Sequence, residues 1–247
     1  MSYELTRFTL RDMTECGAAL RQSGAGARTM EAAAGGIVRF LYTKFTDGKT
    51  GKPACALVRF FKTHTWGGLE PGQQEFASRI LGKNPEPSTQ CLTLLATAGD
   101  QPDWNDRRRS TGHQAIPLAS EAAVAQAPMV STLMRQFGVD VSSVLRPNPD
   151  LILDLAQRTF NVFHVPEAPG SAYIPAQKEF VVPCEVRSVL GMGGVLPSGS
   201  LFAVILFSHQ PISRETAELF KPMALNIKMA VLPFEDTVFA SAGGAHD

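Results

Sequence analysis

The sequence predicts an α/β fold of the α+β kind, a central antiparallel sheet flanked by helices. Three observations carry this. Glu185-Val-Arg-Ser-Val-Leu-Gly-Met-Gly-Gly-Val-Leu196 and Leu201-Phe-Ala-Val-Ile-Leu-Phe-Ser208 are apolar runs of strand length joined by the polar turn Pro197-Ser-Gly-Ser200. Ser213 then opens an amphipathic segment in which Leu219, Met223, Ile227 and Val231 recur at four-residue steps. Two earlier strand patterns, Ala54 to Phe61 and Cys91 to Ala96, alternate with helical stretches.

Taken in order, Asp12-Met-Thr-Glu15 has the form of a helix start, with Asp12 capping and Glu15 reaching back to the backbone. The helical pattern breaks at Ser23-Gly-Ala-Gly26 and resumes from Thr29, placing Met30, Ala33, Ile37, Phe40 and Leu41 on one face. Asp47 to Pro53 is a turn cluster before the buried strand at Ala54. Pro71 starts a short helix to Leu81, where its missing N–H costs least. Asn84 to Ser88 reads as loop, and Gly99 to Gly112 as a charged connection over the surface.

Ala115-Ile-Pro-Leu118 suits an edge strand, because its proline cannot donate to a ladder. A helix follows from Pro128 to Phe137, with Val130, Leu133, Met134 and Phe137 on its apolar face. Pro149 to Gln157 reads as a further short helix, Thr159 to Val165 as a strand, and Pro166 to Gln177 as a loop before Phe180-Val-Val. Pro222 removes a backbone donor and should bend or divide the closing helix. Lys221 and Lys228 suit its exposed face. With no internal repeat or linker, residues 1–234 read as one domain with an insertion around 99–177, and 235–247 as a flexible tail.

The 23 basic and 23 acidic side chains cancel, which argues against a broad preference for nucleic acid or an anionic membrane. The longest apolar runs are too short to span a bilayer as a helix. The N-terminus lacks the basic-then-apolar layout of a secretory signal, so a cytoplasmic location is expected. Cys16, Cys55, Cys91 and Cys184 show no paired spacing; Cys55 and Cys91 sit in strand patterns as small hydrophobes, with no disulfide or zinc framework.

Several side chains are candidates for a site. Trp104-Asn-Asp-Arg-Arg-Arg-Ser-Thr-Gly-His113 is the densest polar run. Arg107 and Arg108, with Ser110 and His113, could clamp a phosphate or carboxylate through forked donors that keep their charge. The plainer reading is a solvated loop balanced by Asp100, Asp103 and Asp106. His164 is a lone histidine: a packed side chain, or a single axial ligand if haem is the cofactor. In the loop from Glu167, Tyr173 and Gln177 offer a hydroxyl and an amide to orient a ligand, or simply anchor the loop. Gly191-Met-Gly-Gly194 lacks dinucleotide-binding spacing and marks a bulge or bend in a strand. Asp150 and Asp154 share a helix face as a surface pair, and no nucleophile elbow or Cys–His pair is present.

The order of elements resembles the GAF family of sensory domains, with a PAS-type sheet as its structural neighbour. Cys55-Ala-Leu-Val-Arg-Phe-Phe61 looks like an early central strand, Val186 to Leu196 a late one, and Leu196 to Ser208 the hairpin. Pro211-Ile-Ser-Arg-Glu-Thr-Ala-Glu-Leu-Phe-Lys-Pro222 and the residues after it resemble the family's last helix. The likeness is strongest over 185–234 and weak in the long middle, and the cyclic-nucleotide signature is absent. The resemblance implies a non-catalytic sensor that binds an unidentified small molecule in a cavity beside the sheet and relays the change through its terminal helices. It also implies a homodimer through those helices and a kinase or cyclase output domain. The alternatives are a protein-interaction module without ligand, or an enzyme using the Arg107–His113 loop on an anionic substrate.

Overall fold

The computed structural model describes residues 2–147 and 160–240. Two short strands, β1 (Tyr3–Glu4) and β2 (Phe45–Thr46), pair in parallel and frame helices α1 (Leu10–Gln22) and α2 (Met30–Lys44). The main sheet is built from β3 (Cys55–Thr65), β4 (Gln90–Gly99), β5 (Ala115–Pro117), β6 (Phe160–Val165), β7 (Ser188–Val195) and β8 (Leu201–Ser208). Its order is β5-β4-β3-β8-β7-β6, and every neighbouring pair is antiparallel. Helix α3 (Pro71–Leu81) bridges β3 and β4. Helices α4 (Glu121–Ala125), α5 (Pro128–Phe137) and α6 (Val141–Leu145) follow β5, and α7 (Arg214–Glu218) and α8 (Lys221–Val231) close the chain.

Strand alternation gives the sheet two apolar faces. Val58, Phe60, Leu190, Met192, Val204 and Leu206 form one core with Ile37 and Leu41 of α2 and Met223 and Ile227 of α8. Leu57, Phe61, Leu94, Val189, Ile205 and Phe207 form the other with Leu133, Met134 and Phe137 of α5, joined by Ile174 and Val181. The terminal helices therefore cover the first face, and the middle of the chain covers the second. No helix among the described residues is long and apolar enough to cross a membrane.

Several local expectations need correction. Thr9, not Asp12, is the N-cap of α1; Asp12 sits at the third helical position and completes the capping box from there. Gly191 and Gly193 lie in unbroken register with β6 and β8, so they mark no bulge. Their role is close approach: a Cβ on Gly193 would stand 2.1 Å from the carbonyl oxygen of Phe202. Lys228 is buried, its Nζ donating to the Val195 carbonyl at 2.9 Å, because α8 packs by that side against β7. The closing helix is divided as proline predicts, with Pro222 in the first turn of α8.

Residues 235–239 are docked rather than a free tail. The carbonyls of Thr237 and Val238 accept from the amides of Met30 and Glu31 at 2.9 and 3.0 Å, satisfying orphan donors at the start of α2. Val238 is buried, and Phe239 packs beside His64 and under the Arg107 guanidinium. The helix expected over 149–157, with Asp150 and Asp154, and the start of its following strand at Thr159 lie outside the described residues.

Candidate functional site

The centre of the second face is polar where its surroundings are apolar. On β3, Leu57 and Phe61 point into the second core, and Arg59 lies between them. Arg59 opposes Thr97 of β4 on one side and Ile205 of β8 on the other. A register shift follows at once, between Phe60 and Phe61; such bulges commonly re-aim side chains beside binding sites. The Arg59 Nε and the Thr97 Oγ1 are both buried and have no hydrogen-bond partner among the described residues. Burial pushes the Arg59 pKa down to about 10. Arg59 as a whole is half-buried, but its Nε is shut off from water without a counter-charge, a costly position for a guanidinium nitrogen.

The stretch from Gly99 to Gly112 covers this patch. It is not a loose surface connection but two 3-10 turns, Pro102–Asn105 and Arg107–Arg109. Asn105 pins the first turn, its side chain bonding both the amide and the carbonyl of Gly99. Trp104 sits over Gly99 and Leu57 and meets Phe180 edge-on at 5.6 Å; Phe180 meets Phe207 at 4.9 Å. Ser110 is buried, accepts from Arg59 Nη2 at 3.2 Å and donates to the Gly112 carbonyl. His113 is held in the left-handed region at φ 67°, strained backbone of the kind that collects at functional sites. His113 presents surface to solvent, yet close packing and the charge of Arg59 push its pKa below the ordinary histidine value.

The arginine run is divided by role. Arg107 is buried and bonds Glu31 and Glu70 at 2.6 Å each. Burial opposes its charge, but those two hydrogen bonds outweigh it and its pKa is raised. Arg108 is exposed and reaches Glu70 at 3.3 Å, and Arg109 pairs with Asp103 at 2.9 Å. Thus Ser110 and His113 stand at Arg59 and Trp104 beside the neighbouring Gly99, while Arg107 and Arg108 tie the loop to α2 and to the residue preceding α3.

The remaining candidates stand elsewhere. His164 shares its side of β6 with Phe160 and Val162, which pack toward the first core, away from Phe163 and Val165 in the second. Its Nε2 lies 2.9 Å from the Ile212 carbonyl, so in that bond it carries the proton and not a lone pair for haem iron. Gln177 holds its own loop together, donating to the carbonyls of Ala168 and Ile174 and accepting from the Gly170 amide. Tyr173 is exposed on that loop. No group of three or more histidine, cysteine or carboxylate side chains among the described residues is placed to hold a metal. Cys16, Cys55 and Cys91 are buried, and burial pushes each thiol up to about 12; Cys184 is also raised.

The covering loop also joins the two faces at the end of β4. Asp100 accepts from the Tyr42 hydroxyl of α2 at 2.7 Å and lies 2.9 Å from His209 Nε2, just after β8. Arg59 and Thr97 were missed in the sequence, although a signal existed. A lone arginine inside Cys55-Ala-Leu-Val-Arg-Phe-Phe61 is a charge placed where an apolar core residue is expected.

No family model matches the chain, and no curated protein matches it in sequence. Among solved structures it is similar to the free methionine-R-sulfoxide reductase from Neisseria meningitidis in complex with its substrate. That match has a TM-score of 0.52 at 9% identity and covers 96% of this chain and 99% of that one. It is also similar to the GAF domain of a phosphoenolpyruvate-protein phosphotransferase from Coxiella burnetii, with a TM-score of 0.47, 12% identity, and 91% and 94% coverage. A bacteriophytochrome from R. palustris gives 0.40 at 9% identity, covering 93% of this chain and 39% of that chain. At such identities the likeness is one of fold alone. With its six antiparallel strands, terminal helices on one face and middle segment on the other, the chain shares its overall fold with the Neisseria protein, at that TM-score of 0.52.

Proposed function

We propose that this chain is a non-catalytic regulatory domain of the cytoplasm. It binds a small ligand against the second face of the sheet, under the loop from Gly99 to His113. The observation that carries this is the pair of buried, unpartnered polar atoms on Arg59 and Thr97, set in the middle of an apolar face. Buried polar groups are almost always satisfied, so two unsatisfied neighbours on opposed strands are better explained by a missing partner than by packing.

The route of relay rests on the same loop. Arg107 grips Glu31 in the first turn of α2, and Asp100 grips Tyr42 in its last turns. A ligand that repositions the loop therefore acts on α2 at both ends, and α2 shares the first core with α8. Differential affinity for two arrangements of that loop is what would produce a signal.

The enzyme reading has less support. The guanidiniums of Arg107 and Arg108 meet Glu31 and Glu70 rather than open space. All four thiols are pushed toward their protonated form, the reverse of nucleophile activation.

Native mass spectrometry and an absorption spectrum of the purified protein test the ligand directly. The expected result is a non-covalent mass that leaves on unfolding, or saturable binding from a metabolite library to the unliganded protein. Binding should slow amide exchange in residues 99–113 and in α2. A ligand that leaves exchange in both segments unchanged would remove the proposed relay.

A further inference from the structure

Resting on the ligand-binding reading above, we infer that the patch seats the carboxylate of a small monoanionic ligand. Arg59 supplies the counter-charge and Thr97 a second donor.

The first argument is the kind of atom left over. Arg59 Nε can only donate, and a threonine hydroxyl can donate as well. The two residues are direct partners across β3 and β4, so both groups stand on one face at neighbouring-strand spacing. Two adjacent donors without acceptors call for a group that only accepts, with two oxygens in a plane. A carboxylate is that group, and arginine recognises it with charge-assisted bonds.

The second argument is charge. The neighbouring arginines are already matched: Arg107 to Glu31 and Glu70, Arg109 to Asp103. Arg59 differs, since its bonded partner among the described side chains is the neutral hydroxyl of Ser110. His113, the other titratable group at the patch, is held toward its neutral form. One cation surrounded by neutral groups balances one negative charge. A dianionic phosphate would bring a second, uncompensated charge beside the buried Arg59 Nε and Thr97 Oγ1, where such charges are expensive.

The third argument is the surroundings. Ser110 fixes the Arg59 guanidinium from the loop, and the strained backbone of His113 ends that loop. Trp104, Phe180 and Phe207 line the neighbouring surface, next to Leu57 and Gly99. An anionic head at Arg59 with an apolar or flat body toward Trp104 fits this layout.

The test follows the Arg59 Nε–H resonance and the Ser110 and His113 amides by nitrogen-correlated NMR. Probes are added to the whole protein at constant ionic strength: acetate, benzoate, benzamide and inorganic phosphate. Acetate and benzoate should give saturable shifts at Arg59, with benzamide at least about tenfold weaker, the cost of losing one charged hydrogen bond, and phosphate weaker than acetate because of its second charge. Arg59→Gln should abolish the shifts at Ser110 and His113. Thr97→Val, a near-isosteric change that keeps the fold, should weaken benzoate several-fold. Equal shifts from benzamide would overturn the anionic class while leaving a ligand site in place. Preference for phosphate would overturn the single charge. If no probe moves these resonances the carboxylate seat falls, and if Arg59 Nε–H also shows a protein acceptor the site itself falls with it.

Discussion

Replacing Arg59 by methionine is expected to make the ligand-free protein more stable. In the empty state Arg59 pays for its position without a counter-charge: burial lowers its pKa from 12.5 to about 10. At 1.36 kcal/mol per unit this corresponds to a penalty of about 3 kcal/mol on the charged form at neutral pH. Against it stands one charged hydrogen bond, from Nη2 to Ser110, worth about 1–2 kcal/mol. Ser110 keeps its bond to the Gly112 carbonyl in the variant, so no new orphan appears there. Methionine retains most of the aliphatic stem between Leu57 and Phe61. The net expectation is a gain of about 1–2 kcal/mol, or roughly 3–6 °C in Tm for a chain of this size. Thermal and urea unfolding of the purified, ligand-free protein measure it. A loss of stability in both the methionine and leucine variants would show that Arg59 is a structural strut, and the reasoning from an unpaired cation would fail.

Other perturbations separate scaffold from site. Arg107→Met should lower stability by about 3 kcal/mol, because it strands Glu31 and Glu70 beside a buried gap, and urea unfolding would show it. Gly193→Ala should cost more than about 3 kcal/mol, since the new Cβ meets the Phe202 carbonyl at 2.1 Å and the Phe137 ring at 2.6 Å; an unchanged Tm would refute the close approach. Acid sensitivity should have a defined source in His64, whose pKa burial and then Lys62 push down to about 4. Its folded value lies below the ordinary one, so its contribution is fully present above about pH 6.5 and is lost as pH falls toward 4, at most about 3 kcal/mol. His113 and His164 are shifted in the same direction, so the check is the difference between wild type and His64→Gln across that window.

Elements with strong local signals were legible in the sequence. The Leu201–Ser208 strand, the Pro71–Leu81 and Pro128–Phe137 helices and the division at Pro222 follow from periodicity, turn residues and proline alone. The misreadings share a cause, which is tertiary context. Lys228 looks exposed by type, yet α8 turns it toward the Val195 carbonyl. Residues 235–239 look like part of a small, polar tail, yet Val238 and Phe239 pack and the carbonyls of Thr237 and Val238 bond to the start of α2. The site was half visible: Trp104, Ser110 and His113 stand out as a polar run, but Arg59 lies far earlier in the chain, on a strand whose pairing with Thr97 only the register reveals. The arginine triplet drew attention by density, although two of its members serve the scaffold.

The contacts that hold the covering loop also bound the size of any signal. A ligand can move the helices only by the difference in free energy between loop arrangements, and that difference cannot exceed what the loop's anchors transmit. At the β4 end the anchors are the two bonds made by Asp100, to Tyr42 and to His209; at the other end they are those of Arg107. Breaking the Asp100 pair alone is worth about 1–3 kcal/mol, which corresponds to roughly a 5–150-fold change in a coupled equilibrium. In the proposed relay the Arg107 anchor, paired with both Glu31 and Glu70, would be the hinge. Motion should then be largest at the Gly99–Asn105 end, where Trp104 bears on the patch and Asp100 on α2. Under the proposed relay, loop and helix would move as one unit, with Arg107 held by two carboxylates as the hinge and Ser110 beside it as the loop's contact with Arg59.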